Sequence, residues 1–143
     1  ESKELRNVKL RAGSNALAGF PELDLVDLEV EFEPGNSKEI IFDLAGTHVR
    51  YDVAKSVFLH RGVEDNGQSR EMTTLLDIAP RDGAVSLRFL IDRQSLEAYA
   101  FGGDSFSAHY FNPNHGPEEQ SIHALGGEAR INRLVVRQLR SAW

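Results

Sequence analysis

Asp27-Leu28-Glu29-Val30-Glu31-Phe32-Glu33 alternates without a break, with Leu28, Val30 and Phe32 on one side and four carboxylates on the other. Successive side chains of an extended strand point to opposite faces, so a strict period of two predicts a strand with one buried and one wet face. Pro34-Gly35-Asn36-Ser37 follows. It puts proline at the second position of a turn and glycine at the third, where a positive φ suits it. Ile40, Phe42 and Leu44 then alternate with Ile41 and Asp43, so the pattern predicts a hairpin over residues 27–44.

The same period continues outward. Val49, Tyr51 and Val53 alternate with Arg50 and Asp52, and Val57 and Leu59 with Phe58 and His60. Asn66-Gly67 and Asp82-Gly83 are turn dipeptides. Met72 to Ile78 reads as a strand or an irregular crossing. Val85, Leu87, Phe89 and Ile91 form the clearest strand. Leu96, Ala98 and Ala100 then alternate with Glu97, Tyr99 and Phe101. Gly102-Gly103-Asp104 is a hairpin turn, and Phe106, Ala108 and Tyr110 return from it. Residues 112–120 carry two prolines and a glycine and read as a loop. Ala129 to Leu139 is the last strand. About eight or more short strands, one every ~8–12 residues, with no long amphipathic helix, predict an all-β chain. The expected architecture is a two-sheet antiparallel β-sandwich of the concanavalin or lectin-like jelly-roll kind, a single domain over residues 1–143.

Composition narrows the function classes. The chain has 143 residues, 41% hydrophobic and 27% charged, which suits one globular domain. A net charge of −6 argues against nucleic acid and against an anionic membrane surface, both of which select cationic faces. There is no cysteine, so disulfides, thiol chemistry and Cys-ligated zinc are excluded. No apolar run approaches the ~18 residues of a membrane span. The chain opens on Glu1 with no initiator Met, which reads as a mature form or a piece of something larger.

The stretch Leu87-Arg88-Phe89-Leu90-Ile91-Asp92-Arg93-Gln94-Ser95-Leu96-Glu97-Ala98-Tyr99 resembles the hallmark of the C-terminal domain of glycoside hydrolase family 32, where a strand ends in an Asp-Arg turn followed by Ser, an aliphatic residue, Glu and an aromatic. Gly102-Gly103-Asp104 falls at the family's hairpin tip. Thr47 to Asp52 with Val57 to Arg61 resembles an earlier hairpin, and Leu134 to Trp143 the closing strand. The matches run in the family's order over residues 24–143. His60 stands where the family has Asp before Arg61, and Ala98 and Ala100 are smaller than the usual residues. Carbohydrate-binding module family 66 is a related sandwich.

The resemblance implies a non-catalytic accessory module of a β-fructosidase of the levanase, inulinase or sucrose-hydrolase type. Its partners would be the catalytic propeller of the same polypeptide and a β-fructoside oligo- or polysaccharide, with no cofactor, in a secreted or periplasmic setting. The family's catalytic carboxylates sit in motifs of the type Trp-Met-Asn-Asp-Pro, Arg-Asp-Pro and Glu-Cys. None is present: Arg81-Asp82 is followed by Gly83, and the sole tryptophan is Trp143. The other readings are a purely structural or interaction domain, and a lectin-like sugar-binding module of another family.

Asp92, Arg93, Glu97 and Tyr99, with Arg61, are the candidate sugar-binding residues. Carboxylates accept hydrogen bonds from hydroxyls, Arg donates to ring oxygens, and a tyrosine ring stacks on a sugar face. Equally, Asp92-Arg93 pins a strand corner while Glu97 pairs with a neighbouring Arg. Arg50, Asp52, His60 and Arg61 fall on a neighbouring strand pair, either lining the same polar face or forming cross-strand pairs on a solvated one. His109, His115 and His123 are spaced by six and eight, which matches no metal motif. Asn112, Asn114, Glu118 and Glu119 offer oxygen ligands but lack the EF-hand order, so no metal is expected.

Overall fold

The computed structural model describes residues 2–20, 25–44, 47–63, 69–75, 78–92, 95–102, 105–110 and 120–139; at 47, 60–63, 69–75, 95 and 105–110 it is the backbone that is described. Eleven strands account for the regular structure among these residues: β1 (Ser2–Leu10), β2 (Val26–Glu33), β3 (Glu39–Leu44), β4 (Thr47–Asp52), β5 (Val57–Val63), β6 (Ser69–Leu75), β7 (Val85–Ile91), β8 (Ser95–Ala100), β9 (Ser105–Tyr110), β10 (Ser121–Leu125) and β11 (Ala129–Gln138). They build two antiparallel sheets, ordered β1-β11-β2-β7-β8-β9 and β10-β3-β4-β5-β6. The expected sandwich is what forms.

The alternating side chains that named the strands meet between the sheets. Phe32 and Phe89 come from the six-stranded sheet, Phe42, Tyr51 and Phe58 from the five-stranded one, and none is more than 1% exposed. Phe42 is the hub, with ring centroids 5.9 Å from Phe32, 6.4 Å from Phe58 and 5.3 Å from Phe89. Phe32 and Tyr51 meet edge to face at 5.6 Å. Tilted and edge contacts of this kind suit the ring quadrupole and add to the area effect. Ala98 and Ala100 are buried on β8, so their small size is part of the packed interior.

Two expectations at the strand ends are corrected. Residues 27–44 do not form a hairpin. β2 already pairs with β11 on one edge and β7 on the other, so the turn after it carries the chain to the opposite sheet, where β3 pairs with β10 and β4. The turn itself is one residue out of the expected register. Its hydrogen bond runs from Ser37 N to Pro34 O at 3.1 Å, so Gly35, with φ 60°, is its second residue and not its third. A positive φ there, and not at Asn36, marks a type II′ turn. Asp82-Gly83 is a two-residue loop with both φ values positive and reciprocal bonds between Arg81 and Ala84, as a type I′ turn requires. At the β8–β9 turn, Phe101 and Gly102 have positive φ; Gly103 and Asp104 lie outside the described residues, as do Asn66-Gly67 and residues 112–119 of the stretch expected as a loop.

β1 and β10 have no counterpart in the sequence pattern. β1 pairs along β11, Ser2 opposite Arg137 and Leu10 opposite Ala129, so the first and last strands lie side by side. Leu5 and Val8 both pack on the core although they are an odd number apart. Asn7, with φ 54°, breaks the period between them. β11 shifts at the same level: its register against β2 skips between Ile131 and Arg133. β10 contributes just Ile122 and Ala124 to the core, too few to stand out in sequence.

Tyr51 shows what the closed interior does to a polar group. Its hydroxyl donates to the Ile78 carbonyl at 2.6 Å, and burial pushes the phenol above its usual ionisation range. The folded chain therefore holds this proton at a pH where the unfolded chain has begun to release it. The associated stability is fully present below about pH 10 and is lost as pH rises above that. Tyr51→Phe is expected to cost about 1–2 kcal/mol at neutral pH, because the buried carbonyl loses its donor. It should also flatten the alkaline fall in stability. Urea midpoints of both proteins across that range check this; parallel slopes would exclude Tyr51 as the source.

Candidate functional site

β7 and β8 carry the predicted residues, and their pleat sets which way each side points. Leu87, Phe89 and Ile91 face inward, so Arg88 and Leu90 face outward. Leu90 pairs with Glu97 and Arg88 with Tyr99. Glu97 and Tyr99 therefore share the outer face of the six-stranded sheet. The Tyr99 hydroxyl donates to Glu97 Oε2 at 3.1 Å. That hydrogen bond first, and then partial desolvation, hold the phenol above its usual range. Glu97 thus has Tyr99 as a side-chain partner among the described residues.

The nearest Arg on the next strand is committed elsewhere. Arg88 grips Asp27 through two bonds, Nε to Oδ1 at 2.9 Å and Nη2 to Oδ2 at 2.8 Å. Asp27 is a buried carboxylate on β2, 7% exposed, and the paired bonds to it raise the Arg88 guanidinium further. Arg137 lies 3.6 Å from the same carboxylate and donates to Glu29 at 2.8 Å. Arg133 donates to Glu4 at 2.8 Å, which is the main reason Glu4 lies below the usual carboxylate range.

A concavity of about 570 Å³ on the outer face is lined by Glu29, Glu31, Ser86, Arg88, Tyr99 and Arg133 among others. Its size is that of a small-molecule site. Its chemistry is one aromatic face beside carboxylates, with cations already neutralised by ion pairs. Such a surface offers acceptors to hydroxyls and a flat ring to C–H groups.

Asp92 stands exposed just beyond β7. Arg93 lies outside the described residues. Arg61 is placed on β5, paired with His48 in the five-stranded sheet. The structure therefore brings Glu97 and Tyr99 together and sets Arg61 on the other sheet. Arg50, Asp52, His60 and Arg61 do fall on one strand pair, β4 and β5, but not on the sheet of Glu97. There Arg50 donates to Glu39 at 2.6 Å, and Asp52 accepts from the Lys55 backbone at 3.1 Å. His109 and His123 belong to different sheets, and His115, Asn112, Asn114, Glu118 and Glu119 lie outside the described residues. No group of three or more His, Asp or Glu side chains among the described residues is placed to hold a metal ion.

Residues 3–138 match the family model described as glycosyl hydrolases family 32 C terminal. The chain belongs to that family. The family 32 domain is 26% identical over 154 residues to a levanase of Bacillus subtilis (strain 168), covering 99% of this chain and 23% of that protein. Among solved structures it superposes on a fructofuranosidase from Schwanniomyces occidentalis complexed with fructose, with TM-score 0.75, 18% identity, and 99% and 34% of the two chains covered. It superposes on an exo-inulinase from Aspergillus awamori with TM-score 0.74, 16% identity, and 100% and 29% covered. At these identities the likeness of structure shows the fold. The family 32 domain spans between about a quarter and a third of the length of the relatives it matches.

Two features of the site had no trace in the sequence. The Asp27–Arg88 grip joins residues 61 apart, and a hydrogen-bonded row at Asp43, Ser121 and His123 joins residues up to 80 apart; both exist through strand pairing alone.

Proposed function

We propose that this family 32 domain is the accessory sandwich of a β-fructosidase, a C-terminal module that buttresses a catalytic propeller of the same polypeptide and gives β-fructoside chains a weak foothold at Tyr99. The observation that carries the foothold is the pairing of Tyr99 with Glu97 beside the 570 Å³ concavity. The ring is held in place by its own hydroxyl, so it meets a sugar face without first losing rotamer freedom. Glu29 and Glu31 are likewise fixed, by Arg137 and by Asn132. Family membership and the small share of each relative's length support the accessory role.

Calorimetric titration with levan and inulin tests this reading. Saturable heat is expected for the wild-type chain, and Tyr99→Ala should weaken it by about tenfold or more, on the order of 1.4 kcal/mol. Unchanged affinity in that variant would remove Tyr99 from the site. The chain by itself is expected to release no fructose from sucrose, inulin or levan; release by a pure preparation would overturn the non-catalytic assignment.

A further inference from the structure

A second polar concavity lies on the five-stranded sheet, away from Tyr99. It encloses about 610 Å³ between the 11–15 turn and the end of β10, with Asn15, Asp43, Ser121, His123 and Leu125 in its wall. Asn15 is structural: its Oδ1 accepts from Leu17 N and Ile122 N, and its Nδ2 donates to Gln120 O. The other polar groups form a row across three strands, β4-β3-β10.

Proton placement in this row follows from the geometry. Ionised Asp43 can only accept. Ser121 Oγ therefore gives its one proton to Asp43 Oδ2, at 3.2 Å. His123 Nδ1 lies 3.0 Å from that same Oγ, so it must be Nδ1–H that donates. A neutral His123 then bears its lone pair at Nε2, which has no hydrogen bond among the described residues. Behind the row, His48 Nδ1 donates to Asp43 Oδ1 at 2.6 Å and fixes the carboxylate plane. The concavity thus presents fixed acceptors: the remaining Asp43 lone pairs and His123 Nε2. No Lys or Arg among the described residues lines it, which disfavours an anion. Leu125, 45% exposed, adds an apolar edge suited to C–H groups.

We propose that this concavity is a second saccharide subsite, on the sheet opposite Tyr99, that recognises adjacent hydroxyls of a neutral sugar through Asp43 and His123. The ligand supplies the O–H donors, and Ser121 and His48 act as positioning residues. It shares no residue with the Tyr99 concavity, so the two stand or fall separately.

The test is NMR of the chain titrated with a short inulin-type oligosaccharide and, in parallel, with its permethylated form, which keeps acceptors but has no O–H donors. The native sugar is expected to move the His123 ring nitrogen and Ser121 amide signals, and the permethylated sugar to leave them still. Ser121→Ala, a small change in a partly exposed strand, should weaken the response at the His123 ring by about tenfold or more, His123→Ala should abolish the response of the Ser121 amide, and Tyr99→Ala should leave both intact. The proposal is overturned if His123 and Ser121 are silent while the Tyr99 face responds, or if the permethylated sugar shifts them equally. Silence of His123 and Ser121 with both sugars would overturn this subsite whatever the Tyr99 face does, and loss of their response in Tyr99→Ala would overturn it as a subsite separate from Tyr99.

Discussion

Phe42→Ala is expected to bring the domain close to the edge of folding. The ring is 0% exposed and touches Phe32 and Phe89 across the sandwich and Phe58 within its own sheet, so it links the two sheets at two points. Removing a buried phenyl loses its transfer free energy and leaves a cavity that strands pinned by ladder hydrogen bonds cannot collapse. The usual cost is about 3–5 kcal/mol, against a total stability of roughly 5–15 kcal/mol for a domain. Phe42→Leu retains much of the volume and should cost less than half as much. Urea unfolding followed by tyrosine fluorescence measures both. Equal costs for the two would mean that the loss is not one of packing volume.

Gly35→Ala is expected to have the second largest effect, through two additive causes. Gly35 holds φ at 60°, where a Cβ is strained by about 1 kcal/mol. That Cβ would also stand 2.4 Å from the Glu128 carbonyl oxygen, a backbone atom that cannot swing away. Overpacking of this sort costs about 1–3 kcal/mol, so the sum is about 2–4 kcal/mol. The corner after β2 and the turn before β11 are locked together from both sides. A Cβ on Gly127 would meet the Asn36 carbonyl at 2.3 Å, and the Asn36 side chain accepts from Glu128 N at 2.7 Å. Amide exchange should therefore quicken at both turns in Gly35→Ala. Quickening confined to residues near 35 would show that the turns are not coupled.

The strands legible in the sequence are those with an unbroken period and one wet face. β2 and β7 are central strands, and their carboxylates, Arg and Ser mark the outer face plainly. β1 escapes because Asn7 changes the parity of its apolar positions halfway along. The hairpin expected over residues 27–44 fails for a different reason. A hairpin and a corner between sheets need the same local ingredients, two alternating runs and a turn. What separates them is whether β2 has other neighbours, and those are Val85–Ile91 and Ala129–Gln138, far along the chain. The site has the same blind spot. Alternation places Glu97 and Tyr99 on one face of β8, because they are two residues apart. It says nothing of which sheet holds Arg61, or that Arg88 would be taken by Asp27 and not by Glu97.

The pairing of Ser2 with Arg137 has a mechanical side. Tension applied through the two ends of the chain would enter at one corner and peel β1 from β11 one rung after another, as a zip opens, without ever loading the ladder in shear. Whatever is tethered there pulls on the weakest direction of the sandwich.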